Sequence, residues 1–320
     1  MKKEVVVGID LGGTSTKVGF VTAEGEVLAI QRFDTHGHED FSAFIERLGQ
    51  VFDQLLKTCP GIAIKGIGIG SPNANYFTGQ MMNPPNFSWG KRVPLAKSVG
   101  ERLGLPAVIT NDANAAALSE NLYGLGIGLS DFVVLTLGTG LGSGIVVNNK
   151  LLLGQDGIAG EMGHVNVRPD GRKCNCGLSG CLETYVSVTG IKRTVFKLVA
   201  DLPMPSKMRS YSYDDLTGLM ITEAALEGDP IAKEAFAYTG EILGTKLADT
   251  VAYLSPQAII LTGGLTKAGD LLLDPTRAAM EDRLFHMYRG KVKLMISEVG
   301  GEHDAVLGAA ALAWQEFAKE

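Results

Sequence analysis

The sequence predicts an α/β protein built from two related domains. Short apolar runs alternate with runs at helical spacing along most of the 320 residues, and this alternation is typical of an α/β fold. Residues 5–21 and 132–149 also resemble each other: each is an apolar strand, a glycine-rich turn and a second apolar strand. We interpret them as a duplicated unit, although two unrelated hairpins would give the same pattern.

The first half of the chain begins with a meander of hairpins and continues with alternating helices and strands. Residues 71–90 are rich in Asn, Pro and Gly, and they read as a long loop of the kind that is usually functional or mobile. The predicted elements are strands 4–10, 16–22 and 26–33, helix 41–56, strand 62–70, helix 94–103, strand 106–110 and an alanine-rich helix opened by Asn111 and Asp112.

The second half repeats the pattern from Phe132 onward. Its last helix carries many alanines, which suit close packing against a neighbouring element. The predicted elements after the second hairpin are helices 184–200 and 230–253, strand 257–262, helix 270–286, strand 292–298 and helix 304–318.

Composition and charge exclude several classes of protein. The net charge of −6 argues against a nucleic-acid partner, which requires a basic face. No apolar run approaches the roughly 18 residues that a membrane span needs, and no cleavable leader is apparent at the N-terminus. Three of the four cysteines lie in one short segment, unlike a disulfide framework. We therefore expect a cytoplasmic protein in a reducing compartment, with Cys59 as an isolated thiol.

The segment from residue 161 to 183 contains a candidate metal site. His164, Cys174, Cys176 and Cys181 supply one imidazole and three sulfurs, the ligand set of a closed, structural tetrahedral zinc site. Three reduced structural cysteines are the simpler alternative. If one imidazole nitrogen binds metal, the other remains a hydrogen-bond donor. Glu161 and Glu183 flank the cluster, and paired carboxylates suit the vicinal hydroxyls of a sugar.

Glycine-rich turns follow three of the predicted strands, at Gly12, Gly138 and Gly263. Glycines let backbone N–H groups approach an anion, so three such turns suggest a phosphate-binding cleft, although each alone could be a structural hairpin. The chain has neither a Walker A sequence nor a strict G-x-G-x-x-G motif. Beside the first turn, Asp10 could either cap the turn or orient a water-ligated Mg²⁺.

Asp112 also has two interpretations. A carboxylate at a helix start is commonly an N-cap that stabilises the helix by about 1 kcal/mol. An aspartate that follows the carboxyl end of a strand, on the rim of a crevice, can instead act as a general base. The local sequence leaves the two alternatives open.

Taken together, these motifs resemble those of the ROK sugar kinases within the actin/hexokinase-type ATPase superfamily, and bacterial ROK glucokinases are the most similar subgroup. The resemblance spans nearly the whole chain and rests on DLGGTSTKVG at 10–19, NDANAAALSE at 111–120, LGTGLGSGIV at 137–146, GEMGH at 160–164, CNCGLSGCLE at 174–183 and LTGG at 261–264. It implies a two-domain actin/hexokinase-like (ribonuclease H-like) α/β fold with a cleft between the domains. We expect a smaller domain over residues 1–117 and 304–320 and a larger one over 118–303.

The resemblance also implies a glucokinase reaction, in which Asp112 takes the proton from the sugar 6-hydroxyl and that oxygen attacks the γ-phosphate of ATP with Mg²⁺ present. By the same resemblance, zinc is held by His164, Cys174, Cys176 and Cys181. The sugar-binding residues implied are Asn86, Asn111, Asp112, Glu161, His164 and Glu183. The nucleotide-binding residues expected are Asp10, Gly12, Gly13, Thr14 and Thr16, then Gly138, Thr139 and Gly140, with Gly263 and Gly264 beside the adenosine.

One loop departs from the family pattern, and several alternatives stay open. Many relatives carry a G-x-P-G-x-V-D type loop where this chain has residues 70–76, with Asn73 and Asn75 in place of the usual glycine and apolar residue. The preferred hexose could thus be glucose, mannose, fructose, glucosamine or N-acetylmannosamine, and polyphosphate could replace ATP. A ROK sugar-sensing repressor is a second class; because the first predicted strand begins at residue 4, we expect no DNA-binding domain and favour the kinase. A homodimer is expected from the resemblance alone.

Overall fold

The structure is a computed structural model, and it describes residues 2–37, 39–84, 87–299 and 303–318. The chain divides into two compact units. Unit 1 comprises Met1–Gly128, Lys150–Ala159 and Glu298–Glu320, and unit 2 comprises Leu129–Asn149 and Gly160–Ser297.

Strands and helices alternate in both units, which confirms the predicted α/β class. The elements as far as residue 123 are β1 (Lys3–Leu11), β2 (Ser15–Val21), β3 (Val27–Asp34), α1 (Phe41–Thr58), β4 (Ile62–Gly70), β5 (Ala74–Asn75), β6 (Gln80–Met82), β7 (Arg92–Val93), α2 (Leu95–Leu103), β8 (Ala107–Thr110) and α3 (Asp112–Tyr123). The later elements are β9 (Phe132–Leu137), β10 (Leu141–Val147), β11 (Lys150–Leu151), α4 (Val188–Asp201), α5 (Gly218–Leu226), α6 (Pro230–Leu254), β12 (Ala258–Thr262), α7 (Asp270–Arg283), β13 (Lys293–Ile296) and α8 (Asp304–Phe317).

The main sheet of unit 1 has the strand order β3-β2-β1-β4-β8. The hairpin strands β1 and β2 are antiparallel, whereas β1, β4 and β8 run parallel to one another. The carboxyl ends of three strands therefore meet at one edge of this sheet, and the residues that follow them are brought close together.

Helix α8 packs against this sheet at very short range because two strands present glycines to it. A Cβ built on Gly68 would lie 1.8 Å from the carbonyl oxygen of Ala309, and one on Gly8 would lie 2.3 Å from that of Val306. No larger residue fits there, so the alanine-rich face and the strand glycines together set the helix–sheet distance.

Unit 2 repeats the strand arrangement of unit 1. Its long strands lie in the order β10-β9-β12-β13, with β10 antiparallel to β9, and with β9, β12 and β13 parallel. This matches the order β2-β1-β4-β8 of unit 1 and supports the interpretation of the two hairpins as copies of one unit. Helices α6 and α7 form much of the core of this unit, through buried residues such as Phe236 and Met280.

Some elements among the described residues differ from the sequence prediction. The segment 71–90, predicted to be one long loop, contains strands β5 and β6, which form a small antiparallel sheet with β7 just beyond the segment. Helix α5 was not predicted. Helix α3 runs unbroken from Asp112 to Tyr123, and the division of the chain into domains at residue 117 stays a prediction. Within the described residues, no helix combines the length and apolar character needed to cross a membrane.

Candidate active site

Two aspartates lie at the carboxyl edge of the unit 1 sheet. Asp10 is at the end of β1, in register with Gly70 of β4, which pairs in turn with Thr110 of β8. Asp112 follows Thr110 by two residues and begins α3. Burial raises the pKa of the Asp10 carboxyl, the positive charge of Lys17 lowers it, and the negative charge of Asp112 raises it further. The two carboxylates are therefore close enough to influence each other's charge.

Asp112 is not the N-cap of α3. The N-cap is Asn111, which has an extended backbone. Its side-chain oxygen accepts a hydrogen bond of 2.7 Å from Asn114 N. Asp112 is the first helical residue, and its Oδ1 accepts from the N–H of Ala113 at 2.9 Å. Its side chain is exposed. The capping interpretation of Asp112 is thus wrong, and the carboxylate is available at the surface of the sheet edge.

The first glycine turn joins β1 to β2 and is braced from behind. Gly12 N donates to Ser15 O at 3.1 Å, and the Thr35 hydroxyl donates to Gly12 O at 2.8 Å. Thr16 is fully buried with its Oγ1 2.9 Å from Thr35 Oγ1, so its hydroxyl supports the turn from inside. Thr14 is exposed at the tip and Gly13 is half-buried.

Lys17 was missed by the sequence analysis, although it lies opposite Asp10. The β1–β2 register pairs Asp10 with Lys17 directly. The signal was present in the sequence, because a tight hairpin fixes which residues face each other once its turn is identified. Lys17 therefore supplies a positive charge beside the Asp10 carboxylate.

The second and third glycine turns share an edge of the unit 2 sheet. Thr136 of β9 pairs with Thr262 of β12, so the turn at Gly138 to Gly140 and the turn at Gly263 follow neighbouring strand ends. Gly263 has φ +100°, and a Cβ on it would lie 2.7 Å from Leu137 O; a glycine is required there. Thr139, Gly263 and Gly264 are exposed and Gly138 and Gly140 are half-buried.

The predicted metal ligands come together in one cluster. The ligand atoms of His164, Cys174, Cys176 and Cys181 all lie within 4.8 Å of one another. Cys174 Sγ is 3.8 Å from His164 Nδ1, and Cys176 Sγ is 3.6 Å from Cys181 Sγ. A tetrahedral zinc ion with Zn–S bonds of about 2.3 Å holds sulfurs about 3.8 Å apart, so the donor set and spacing fit zinc.

The chemistry of the thiols is consistent with a cation site. Burial raises the pKa of Cys181 to about 12, which keeps this thiol protonated when no cation is near. By contrast, the backbone N–H of Leu178 lowers the pKa of Cys176. A metal ion would offset the burial cost by stabilising thiolates, and all cysteines are free of disulfides.

The loop around the cluster is held by the backbone and by one arginine. Val167 N donates to Gly180 O at 2.8 Å, and Cys174 N donates to Leu178 O at 2.9 Å. Arg172 donates to Thr184 O at 2.8 Å. Burial lowers the pKa of the Arg172 guanidinium, so this group lies partly inside the protein. No local sequence pattern indicates that Arg172 has this role.

Of the candidate sugar-binding residues of unit 2, His164 belongs to the metal cluster and Glu183 contacts it. His164 points Nδ1 toward Cys174, which leaves Nε2 for another partner. The Glu183 carboxylate has Oε1 3.8 Å from Cys174 Sγ and Oε2 accepting from Leu141 N at 3.0 Å. Glu161 is exposed and directly precedes the short 3₁₀ turn Met162–His164. Asn86 lies outside the described residues.

The loop that departs from the family pattern has a structural explanation. Asn73 adopts a left-handed backbone conformation (φ 52°), which asparagine tolerates in place of glycine. Asn75 is buried and donates from Nδ2 to Asp156 O at 2.5 Å, while its Oδ1 accepts from Thr78 N at 3.0 Å. Both asparagines thus shape the loop itself.

A cavity of about 810 Å³ in unit 1 is separate from these residues. It is lined by the β2–β3 turn at Glu24, the end of α3 at Tyr123 and the start of α8. None of the predicted site residues lines this cavity, so the cavity is not evidence for the chemistry of the candidate site.

The chain is similar to known proteins along almost its whole length. The ROK family model matches residues 6–316. A glucokinase of Thermotoga maritima is 33% identical over 98% of this chain and 98% of its own. A xylose repressor of Caldicellulosiruptor bescii is 31% identical over 96% of this chain and 77% of its own.

A solved structure shares both sequence and fold with the chain. It is a ROK family glucokinase from Streptomyces griseus in complex with glucose and AMPPNP. It is 34% identical, with a TM-score of 0.78 over 97% of this chain and 99% of that one. This similarity confirms the predicted actin/hexokinase-like fold. By its sequence motifs, its fold and its relatives, the chain belongs to the ROK family.

Proposed function

We propose that the chain is an ATP-dependent hexokinase that phosphorylates the 6-hydroxyl of glucose. The observation that carries this proposal is the position of Asp112, exposed at the carboxyl edge of the unit 1 sheet with Asn111 capping the helix in its place. A carboxylate left available in this way can accept a proton from a substrate alcohol. The glucokinase relatives and the solved complex with glucose and AMPPNP support the choice of reaction and of sugar.

In the proposed reaction, Asp112 accepts the proton of the sugar 6-hydroxyl. The oxygen then forms a bond to the γ-phosphorus of ATP, and the bond between that phosphorus and the β,γ-bridging oxygen breaks, so that ADP leaves. Asp10 is the carboxylate we assign to the water shell of Mg²⁺, which neutralises phosphate charge when bound. Lys17 stands opposite it and offers a further positive charge to the phosphates.

Backbone N–H groups of the glycine turns would hold the nucleotide. We assign the turn at Gly12 to Thr14 and the turn at Gly138 to Gly140 to the phosphates, because glycine allows close approach to anions. Thr16 acts on the first turn through its buried bond to Thr35. Gly263 and Gly264 are exposed beside the end of β9 and would border the adenosine.

The metal cluster would hold the sugar-binding wall in place. We propose that zinc binds His164, Cys174, Cys176 and Cys181, and that Nε2 of His164 then donates to a sugar hydroxyl. Four protein ligands would leave no open coordination position, so a zinc ion held here would be structural. Glu161, Glu183, Asn111 and Asn86 are the remaining residues proposed to contact sugar hydroxyls.

A coupled ADP-release assay over a panel of sugars tests this proposal. We expect turnover with ATP and glucose, and lower kcat/KM with mannose, fructose, glucosamine and N-acetylmannosamine; polyphosphate in place of ATP tests the donor. Higher kcat/KM on another hexose would revise the sugar. An absence of turnover on every sugar and donor would refute the kinase. In that case, a shift of operator DNA relieved by sugar would favour a repressor like the Caldicellulosiruptor bescii relative.

A further inference from the structure

The second glycine turn is bound to the segment that follows the metal cluster. We call residues 183–189 the linking segment. Val188 N donates to Gly138 O at 2.8 Å, and the Thr189 hydroxyl donates to Thr139 O at 2.9 Å. In the opposite direction, Leu141 N donates to Glu183 Oε2 at 3.0 Å. One short segment thus holds both ends and the tip of the turn.

The turn also lies directly against the Glu183 carboxylate. A Cβ built on Gly140 would lie 2.5 Å from Glu183 Oε2. A larger residue at position 140 would have to displace the Glu183 carboxylate, which also accepts from Leu141 N at 3.0 Å. The turn and the carboxylate are therefore in direct contact.

The linking segment is itself rigid and continuous with the metal cluster. Thr184 donates from Oγ1 to Cys181 O at 2.7 Å, and Ser187 donates from Oγ to Glu183 O at 2.7 Å. Ser187 also caps α4 by accepting from Gly190 N at 2.9 Å. The Thr184 and Ser187 side chains are almost fully buried, so these bonds hold the segment close to Cys181, which lies two residues before it.

Arg172 adds a second connection between the cluster loop and this segment. Its Nη1 donates to Thr184 O at 2.8 Å and to Gly190 O at 2.9 Å. Its guanidinium lies 4.4 Å from the centroid of the Tyr185 ring. A displacement of the cluster loop would therefore move the linking segment.

We infer that Thr189 is a positioning residue for the donor phosphate, and that the linking segment joins the metal cluster mechanically to the phosphate-binding turn. This inference rests on the proposed function for the identity of the phosphate. The Thr189 side chain is exposed and fixes the turn at the carbonyl of Thr139. Fixing this carbonyl keeps the turn's N–H groups in one orientation before the anion arrives, which reduces the cost of binding.

The test compares nucleotide and sugar binding in Thr189→Val and Thr189→Ser, using calorimetry with a non-hydrolysable ATP analogue and with glucose. Loss of one neutral hydrogen bond should raise the Kd of the analogue and the KM for ATP about three- to tenfold in Thr189→Val. The Kd of glucose should stay within about twofold. Thr189→Ser keeps the hydroxyl and should restore nucleotide binding.

Thr245→Val is the matched control. The Thr245 hydroxyl donates to Glu241 O at 2.8 Å within α6, so this variant loses a bond of the same kind elsewhere in unit 2. It should bind the analogue like the original protein. The inference is overturned if Thr189→Val binds the analogue normally, if it weakens sugar equally, or if Thr189→Ser fails to restore binding.

The failure of this inference is distinguishable from failure of the proposed function. If the original protein binds the analogue but phosphorylates no sugar, the kinase proposal fails while the Thr189 comparison still decides the inference. If the original protein does not bind the analogue at all, this result refutes both the proposed nucleotide site and the inference about Thr189.

Discussion

Ionisation of the buried Asp10 carboxyl costs free energy in the folded protein, and a residue with only a structural role would not need to be ionised. The pKa of Asp10 is raised by burial and by the nearby charge of Asp112, and Lys17 offsets this only in part. An ionised Asp10 therefore destabilises the ligand-free protein at neutral pH. Such a conflict between stability and charge is typical of functional residues, and it agrees with a role in cation binding.

The stability of Asp10→Asn tests this interpretation. Removing the buried charge should raise the melting temperature of the ligand-free protein at neutral pH by roughly 1–4 °C. The raised pKa of Asp10 favours the protonated carboxyl in the folded state, so protonation of Asp10 stabilises the original protein. This stabilisation is fully present below pH 3.8, the ordinary pKa of an aspartate. It is lost as pH rises through the folded-state pKa, so the difference between the two proteins should shrink in acid.

Asp34→Asn is the control for this measurement. Asp34 also ends a strand, but its side chain is exposed, and its substitution should change the melting temperature little. A less stable Asp10→Asn at neutral pH would show that Asp10 serves the structure, through hydrogen bonds that asparagine does not replace.

At the scale of elements, the metal cluster should contribute directly to folding. Cys176→Ser removes one ligand from the cluster and should reduce bound zinc from about one per chain to a small fraction. It should also lower the melting temperature, because the energy of metal binding contributes to the stability of the folded loop. Metal analysis and calorimetry check both effects.

Cys59→Ser provides the comparison, since Cys59 lies outside the cluster at the end of α1. This variant should retain zinc and melt like the original protein. Equal zinc content in all three proteins, or zinc far below one per chain in the original protein, would contradict the assignment.

The contact between α8 and the unit 1 sheet gives a second prediction at this scale. Gly68→Ala would place a methyl group 1.8 Å from Ala309 O, and the helix backbone would have to move. We expect a loss of roughly 2–4 kcal/mol in the free energy of unfolding, measured by urea denaturation. Ile67→Val in the same strand should cost only about 1 kcal/mol. A loss for Gly68→Ala no larger than that for Ile67→Val would mean that the helix adapts easily.

The elements that could be predicted were those with a strong period or a distinct turn. The β1–β2 hairpin and α1 carry apolar residues at strand or helix spacing, and both lie close to the predicted bounds. The strands β5 and β7 have two residues each, too few to show a period. Helix α5 begins with a glycine and is apolar on most sides, so its periodicity is weak.

The candidate site was predictable to the extent that its residues cluster in sequence. The metal ligands were found because they lie within one short segment, and their geometry agrees with the prediction. The division of roles between Asn111 and Asp112 required the backbone conformation of Asn111, which the letters do not specify. Arg172 and Thr189 act through contacts with residues distant in sequence, and no local pattern indicates them.

At the scale of the whole molecule, the two units share a strand plan that the two hairpins first suggested. In each unit a glycine-turn hairpin is followed by two parallel strands, in the orders β2-β1-β4-β8 and β10-β9-β12-β13. The same physical device, a glycine turn at the carboxyl edge of a sheet, therefore occurs in both. This repetition explains why the glycine turns that we propose to bind nucleotide occur at similar positions in the two halves of the chain.

The expected homodimer stays a prediction, and sedimentation equilibrium tests it. A dimer would have twice the 33.9 kDa mass of the chain, with a fraction that depends on concentration. The measurement should be made with and without zinc and sugar. A mass of one chain under all these conditions would contradict the prediction.

The central claim is that Asp112 is the general base of a sugar kinase, and the most direct test is Asp112→Asn measured for both turnover and sugar binding. Asp270→Asn is the matched control, because Asp270 is also an exposed aspartate that begins a helix. We predict that Asp112→Asn lowers kcat by about 10²- to 10⁴-fold while its Kd for glucose stays within about threefold. Asp270→Asn should match the original protein in both. Turnover by Asp112→Asn at a rate close to that of the control would contradict the account.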